Sequence, residues 1–401
     1  MADGDQTREK QPWGLAILAM VVVACVNGLT TTGLTVFDEA ILTELAIDRT
    51  ALKFRESINF WGAAILLPIT GWLIDRGGAR ITAMVGLALL SAALFAYGSA
   101  TSVVQLYWLH GVFAFAIGLS GSLAMIVLVT RLFTRQRGLA VGFALAGTSL
   151  GGIVMGRVNP LLLEALGWRQ SFEWLALVPL VMLALVAFAV PKAGTSSATV
   201  RPADAAASLP LSAALGMPAF WLLALAGMLT FGAIVAVFQN VFLHLRDLGF
   251  APRTAGLGLT LLSSCALVAK LAAGWLGDRF GTGNLLKLNI IVMGLGAAGL
   301  ATLQPGLIWV SLAVIGLGWG AINTLINYLA IEVFGVGQAG RINGVISIFE
   351  SLGAGGGPLV AAMVFDATGS YGAAFTGIVV ALLAALAAIW TVRAKLRPAA
   401  A

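Results

Sequence analysis

Residues 71–80 read GWLIDRGGAR, and residues 274–283 read GWLGDRFGTG. The same frame, G-W-L-x-D-R-x-G, is written twice, 203 residues apart (274 − 71). Both copies interrupt long apolar sequence with an acid, an arginine and glycines. A second set repeats as well. Gly142, Ser149-Leu150-Gly151 and Gly167 recur as Gly344, Ser351-Leu352-Gly353 and Gly369, 202 residues on (344 − 142). Two offsets that differ by one residue across half the chain mark a duplicated unit.

Composition supplies the solvent. Of 401 residues, 60% are hydrophobic and 10% are charged, with a mean hydropathy of +0.98. Soluble domains are about 45–50% apolar and about 25% charged. Charge this sparse cannot cover a water-facing surface, so most of the chain faces lipid. Apolar segments long enough for a bilayer core of about 30 Å recur almost without pause. They are expected at 13–36, 50–74, 81–99, 103–130, 138–163 and 168–190, then at 217–245, 252–277, 284–303, 306–333, 338–366 and 370–393. These are continuous runs rich in Leu and Ala, as in helices, not the short alternating segments of a barrel. The expected fold is therefore an all-α membrane protein of twelve spans in two six-span halves. The first half is residues 1–190, a linker is 191–216, and the second half is 217–401. The stretch PKAGTSSATVRPADAAASLPLS at 191–212 is polar and rich in Ala, Ser, Thr and Pro, which suits a flexible linker.

Charge orients the bundle. With both termini cytoplasmic, most Lys and Arg fall inside, among them Arg76, Arg80, Arg131, Arg137, Arg279 and Arg341. Arg49, Lys53, Arg55, Arg157, Arg169, Arg246 and Arg253 fall outside or at outer span ends. That excess obeys the positive-inside rule. The net charge of +6 is a topology signal spread over many loops, and it implies no nucleic-acid partner. Cys25 and Cys265 lie inside spans and give neither a disulfide framework nor metal-ligand spacing.

Each G-W-L-x-D-R-x-G copy falls at the cytoplasmic end of the second span of its half. Glycine lets helix backbones approach closely, and Asp and Arg at the membrane edge can bridge to a neighbouring helix. Spacing leaves two accounts open. One is a latch between rocking halves; the other is a tight turn with a fixed ion pair. The motif resembles the signature loop of the major facilitator superfamily, and the resemblance covers the whole chain. It implies a charge network on the cytoplasmic face, formed in the outward-open state, at Asp75, Arg76, Asp278 and Arg279. Gly71 and Gly274 are given packing roles.

A narrower likeness lies in Arg137-Gly138-Leu139-Ala140, Gly142, Gly147, Gly151 and Gly167-Trp168-Arg169, and in Phe365-Asp366-Ala367-Thr368-Gly369-Ser370-Tyr371. These resemble the oxalate/formate-antiporter and monocarboxylate-porter branch, whose members move small carboxylates with a proton or against another anion. That branch places a cation in span 8, about eight residues before the loop Asp, and here the residue is Lys270. The branch usually has arginine, which grips a carboxylate bidentately; lysine offers a point charge. Where proton-coupled members often carry an Asp one turn earlier, this chain has Ala266.

Lysine in a span costs roughly 2.5–3.5 kcal/mol, so it is rarely idle. The other intramembrane charge is Glu350, about 18 Å into span 11. Asn343, Ser347 and Glu350 share one helical face. Trp319, Asn323 and Asn327 make a stripe in span 10, and Asn240 with His244 another in span 7. Such stripes face protein or a water-filled cavity, and interhelical hydrogen bonding is an equal account of the asparagines. Lys270 and Glu350 are expected to pair in the empty carrier, which would offset the cost of burying each. Arg157 is expected to snorkel at the outer interface. Asp38, Glu39, Arg55 and Glu56 are expected to form an ion-paired outer rim. His110 is expected to be a packed, hydrogen-bonded residue rather than a proton relay.

The glycine runs GTSLGGIVMG and GAGGGP lack G-x-x-x-x-G-K-[ST], so no phosphate loop is present. Gly147 with Gly151, Gly152 with Gly156, and Gly353 with Gly357 are G-x-x-x-G pairs for close helix packing. No catalytic motif is visible, so an enzyme is not expected, nor any metal or cofactor. The expected function is secondary transport of a small organic anion in a bacterial-type inner membrane by a monomer, linked to a proton or a counter-anion. One alternative is an efflux carrier for a larger amphipathic compound, suited by Trp319, Tyr328 and Phe349. Another is a sensor or scaffold without transport.

Overall fold

The computed structural model describes residues 12–133, 136–191, 210–335 and 339–396. Among them every regular element is a helix. Ten stretches are long and apolar enough to cross a membrane. Two of these are too long for one crossing. Helix α3 runs Arg49–Gly98 over 50 residues. Helix α6 (Arg137–Leu175) and α7 (Leu177–Ala189) form one stretch of 53 residues. Fifty helical residues reach about 75 Å, more than twice a core of about 30 Å.

Both long stretches break at glycine. Gly78 has φ 76° and ψ 146°, and Gly167 has φ 70° and ψ 173°, conformations that a side chain resists. The second copy uses the same device. Gly281 (φ 75°) separates α10 (Pro252–Phe280) from α11 (Thr282–Ala301). Gly369 (φ 72°) separates α14 (Ala339–Thr368) from α15 (Gly372–Leu396). Gly78 and Gly281 are the eighth residues of the two repeated motifs, and Gly167 and Gly369 are the matched pair of the other repeat. The last glycine of each motif is thus there to turn the chain.

The remaining helices are α1 (Trp13–Asn27), α2 (Asp38–Leu45), α4 (Val103–Ser120), α5 (Ser122–Leu132), α8 (Leu211–Leu215), α9 (Pro218–Asp247), α12 (Pro305–Trp319) and α13 (Ile322–Phe334). Two buried apolar clusters organise them. One is made by residues between Ala16 and Val190. The other is made by Val36 and residues between Ala214 and Val392. The outer surface is apolar too: Phe188 is 91% exposed, Trp108 76% and Ile65 75%. Such area costs about 25 cal/mol per Å² in water and nothing comparable in lipid. The chain is a multi-pass membrane protein.

The G-x-x-x-G pairs pack as expected. Gly147 and Gly151 lie on α1, where a Cβ at Gly151 would sit 2.5 Å from the Ala24 carbonyl oxygen. Gly156 lies against α10, with 2.7 Å from the same imagined atom to Thr260 Oγ1. Gly353 and Gly357 meet α9 backbone at Met228 and Gly232 so closely that any side chain would collide. Helices α3 and α10 both start at one end, called here the far end, where Arg253 pairs with Glu164 and Arg49 with Asp247. Both run to the opposite end, which carries the two repeated motifs.

Candidate functional site

The first spanning stretch is not a continuous α-helix. After α1 the backbone passes through a π turn, Gly28–Thr32, and a 3₁₀ turn, Leu34–Phe37. Such breaks free carbonyl groups, and within a membrane these need partners. Three amides supply them from three other helices. Asn59 Nδ2 of α3 donates to Thr30 O (3.2 Å). Gln239 Nε2 of α9 donates to Thr31 O (3.1 Å), and Asn159 Nδ2 of α6 donates to Gly33 O (2.8 Å). Interrupted helices at mid-depth are where transporters build their binding sites.

Lys270 lies near the middle of α10 and reaches across to α6. Its Nζ donates to Thr148 Oγ1 at 2.7 Å, with Ser149 Oγ and Leu145 O each at 3.4 Å. All three acceptors are neutral. Glu350, on α14, does not pair with it. Its carboxyl lies instead against Gly227 of α9, where a Cβ would come 3.1 Å from Glu350 Cγ. Its Oε1 has no hydrogen-bond partner. The expected Lys270–Glu350 pair is therefore not formed, because each side chain is turned to a different helix: Lys270 to α6, Glu350 to α9.

The other expected residues are more scattered. Asn327 Nδ2 donates to Asn323 O (2.8 Å) on the same helix, so these two amides bond locally. Trp319 stands edge-on to Phe231 of α9, ring centres 4.8 Å apart. Ser347 is half-buried one turn before Glu350. Arg157 is exposed on α6, as a snorkelling residue should be. Asn240 is fully buried and accepts from the Tyr371 hydroxyl (3.1 Å).

The far end departs most from expectation. Asp38, Arg55 and Glu56 are not a rim: together with Lys53, Tyr97 and His110 they are fully buried. Asp38 takes both Lys53 and Arg55. Arg55 also donates to Tyr97 OH (2.8 Å) and approaches Glu56 (3.3 Å). His110 binds the Leu106 carbonyl (2.9 Å) and lies 3.7 Å from Glu56, in keeping with a packed, hydrogen-bonded role. Helix α9 lies over this cluster. Lys53 donates to the Gln239 carbonyl, and Gln239 Nε2 to Glu56 Oε2 (3.4 Å). Two acids and two bases cancel, which lets the group leave water as a neutral unit. Only Glu39 of the expected rim is a surface group, paired with Arg246 (2.5 Å).

Around this cluster the two parts of the chain are tied together. Arg49 is clamped by Asp247 (2.8 and 2.6 Å), hydrogen-bonded to Tyr371 OH (2.9 Å), and seated 3.7 Å over the Phe365 ring. Thr50 donates to Asp366 through backbone N–H and hydroxyl. Deeper in, Ser57 Oγ donates to Gly355 O (2.7 Å) and Trp61 Nε1 to Leu352 O (3.2 Å). Among the residues missed from sequence here, Lys53 and Asp366 carried one signal, opposite charges bunched at the same span ends; Tyr97, Gln239 and Tyr371 carried none.

At the motif end the picture reverses. Asp75, Arg76, Asp278 and Arg279 are exposed. Asp75 lies 3.5 Å from Arg131 of α5. Arg76 rests over Trp72 (4.6 Å) and Arg279 over Trp275 (5.8 Å). A side chain added at Gly71 or Gly274 would meet nothing within 4 Å. The packing role expected of those glycines is not exercised in this conformation, because among the described residues no helix approaches them.

These features agree with comparison to known proteins. The Major Facilitator Superfamily pattern matches residues 20–358, and the chain belongs to that superfamily of membrane transporters. Monocarboxylate transporter 11 of Mus musculus is 28% identical over 384 residues, covering 90% of this chain and 83% of that protein. The oxalate:formate antiporter of Oxalobacter formigenes is 24% identical over 334 residues, covering 82% and 79%. A crystal structure of a mutant nucleoside transporter NupG aligns with a TM-score of 0.77 at 13% identity, over 96% of this chain and 99% of that one. That last likeness concerns the fold alone.

Proposed function

We propose that the protein is a secondary transporter that moves a small organic anion, a carboxylate, by alternating access. The observation that carries this is Lys270: an ammonium at mid-depth, bonded to neutral oxygens and to no carboxylate. An arriving carboxylate would replace neutral acceptors with an anionic one, so that both partners of the bond are charged, while Thr148 and Ser149 could turn their hydroxyl protons toward it. The named activities of the monocarboxylate and oxalate:formate relatives support the same substrate class. The carrier is linked to a proton or a counter-anion.

In this reading residues 1–190 and 217–401 are the two rocking bodies, joined by 191–216. Divided at Gly78 and Gly167, the ten apolar stretches give twelve spans, with both termini cytoplasmic and the protein monomeric in a bacterial-type inner membrane. The far end would then be the outer gate, closed here by Arg49, Asp247, Asp366 and Tyr371. The motif end would be the cytoplasmic latch, here released, with Asp75 and Asp278 exposed.

The test is binding and uptake of oxalate, formate and lactate by purified protein in liposomes. Lys270→Ala should lose binding and Lys270→Arg should keep part of it. An anion bound and carried equally well by Lys270→Ala would overturn the assignment. The efflux reading would then lead, with Trp319, Tyr328 and Phe349 as the aromatic residues suited to a larger amphipathic cargo; Tyr328 is exposed on α13.

A further inference from the structure

We propose that Glu350 is a proton-binding site of the carrier, occupied in the conformation described here, and that loss of its proton loosens the far gate through α9. The inference deepens the transport reading by naming the coupling ion, and it does not depend on which anion is carried.

The argument starts from what surrounds the carboxyl. Glu350 is 5% exposed and its Oε1 is orphaned. Ser347 of its own helix is the hydroxyl within its reach. The elements packed on α14 are chiefly α9, α3, α15, α13 and α8. Helix α9 has no ionisable residue from Pro218 to Leu243, and its His244 stands at the far end beside Tyr371. Helix α3 has none from Ser57 to Ile74. Its Lys53, Arg55 and Glu56 lie farther out and are engaged with Asp38, His110 and one another. Helix α15 has none from Gly372 to Val392, and α8 has none. Helix α13 offers Tyr328, and Glu332 at its end, which is bonded to Thr282. On α14 itself Arg341 is nine residues away and exposed, and Asp366 is at the far gate. Lys270 is turned to α6.

Among the described residues Glu350 has no counter-charge, and a carboxylate so placed, with an unsatisfied oxygen, is among the costliest groups to hold inside a membrane protein. Protonation removes the charge: the carboxylate takes one proton from water and becomes a neutral acid. The packing then makes sense, since Gly227 lets α9 press directly onto the acid. The same helix carries Gln239, which lies across the buried far-end cluster, and Arg246 and Asp247, which hold Glu39 and Arg49. Twelve residues separate Gly227 from Gln239, about 18 Å of one helix. An ionised Glu350 calls for water, and because its side chain lies directly against α9, hydration there displaces that helix. Lifting α9 pulls on the contacts that close the far gate.

The experiment uses the full chain in lipid nanodiscs without substrate. Infrared difference spectra on raising the pH should show a buried carboxylic-acid carbonyl band that disappears, absent from Glu350→Gln and restored in Glu350→Asp. In parallel, spin labels at Thr101→Cys and Gln304→Cys, in a Cys25→Ala, Cys265→Ala background, report the far-end separation. In the wild type that distance should lengthen as the pH is raised. In Glu350→Gln, an isosteric neutral side chain, it should stay at the short value. The proposal is overturned if the wild type shows no such band, or if Glu350→Gln lengthens with pH as the wild type does. Failure of the anion assignment would appear in Lys270→Ala binding and would leave both of these signals unchanged.

Discussion

Lys270 shows how much one side chain can settle. Its ammonium holds three neutral oxygens from α6, a helix more than a hundred residues earlier in the chain. A hydrogen bond to a charged group is worth about 1.5–3 kcal/mol, so Lys270→Ala should weaken anion binding about 10–100-fold. Equilibrium binding in detergent would measure it, with Thr148→Val as the companion that keeps the charge and loses one hydroxyl. Asp38 makes a different case. It neutralises Lys53 and Arg55 where none of the three reaches solvent. Asp38→Asn should leave a buried excess of positive charge and cost about 3–5 kcal/mol, read as a lower midpoint in thermal unfolding. Replacing Asp38 without such a loss would show that the cluster is more hydrated than its burial indicates.

At the scale of the helix, glycine sets both the turns and the contacts. The sequence disclosed its positions through the duplicated motif, and the backbone explains them: Gly78 and Gly281 hold nearly the same positive φ. Gly78→Ala should cost roughly 1–2 kcal/mol for the left-handed conformation alone. Gly353 is under a stricter constraint, since any Cβ there would run into Met228 backbone on α9. Gly353→Ala should force α9 and α14 apart, at roughly 1–3 kcal/mol, and should be the more damaging of the two in thermal melts. The reverse order would mean that the α9–α14 contact yields more easily than the turn. The break in the first spanning stretch was not legible in the sequence. GLTTTGLTVF carries two glycines and four threonines in a span of ordinary hydropathy. The three amides that hold the break open come from α3, α6 and α9, and no local pattern announces them.

In the proposed reading the molecule balances two ends that close in turn, and here the far end is the one tied together. Substitutions at the two ends should therefore act in opposite directions. Arg49→Ala removes the far-end clamp on Asp247. The pair is partly exposed, so its worth is discounted to roughly 1 kcal/mol, enough to move the ratio of conformers about fivefold toward an open far end. Asp75 here reaches only the exposed Arg131 of its own half, and among the described residues it makes no ion pair with the second half, so Asp75→Asn should favour the state seen here and slow transport while leaving the protein folded. Spin-label distances across both ends would read the two shifts. If both substitutions moved the distances the same way, the rocking account would not stand.

Composition, the duplicated motif and the glycine spacing were sufficient for the membrane class, the helical architecture, the repeat and the superfamily. Those properties depend on hydropathy and on helical period, which are written along the chain. They also placed Lys270 and Glu350 inside apolar helices, α10 and α14. What helical counting could not decide is which helix stands opposite each face. Only the tertiary structure shows that Lys270 meets α6 while Glu350 meets α9, so that the two charges do not pair. Only there does the supposed rim of Asp38, Arg55 and Glu56 become a sealed core, because Gln239, more than 180 residues later, is laid across it. Period fixes the face of a helix, but its partner is chosen by packing between distant segments, and in a transporter that packing changes with the state.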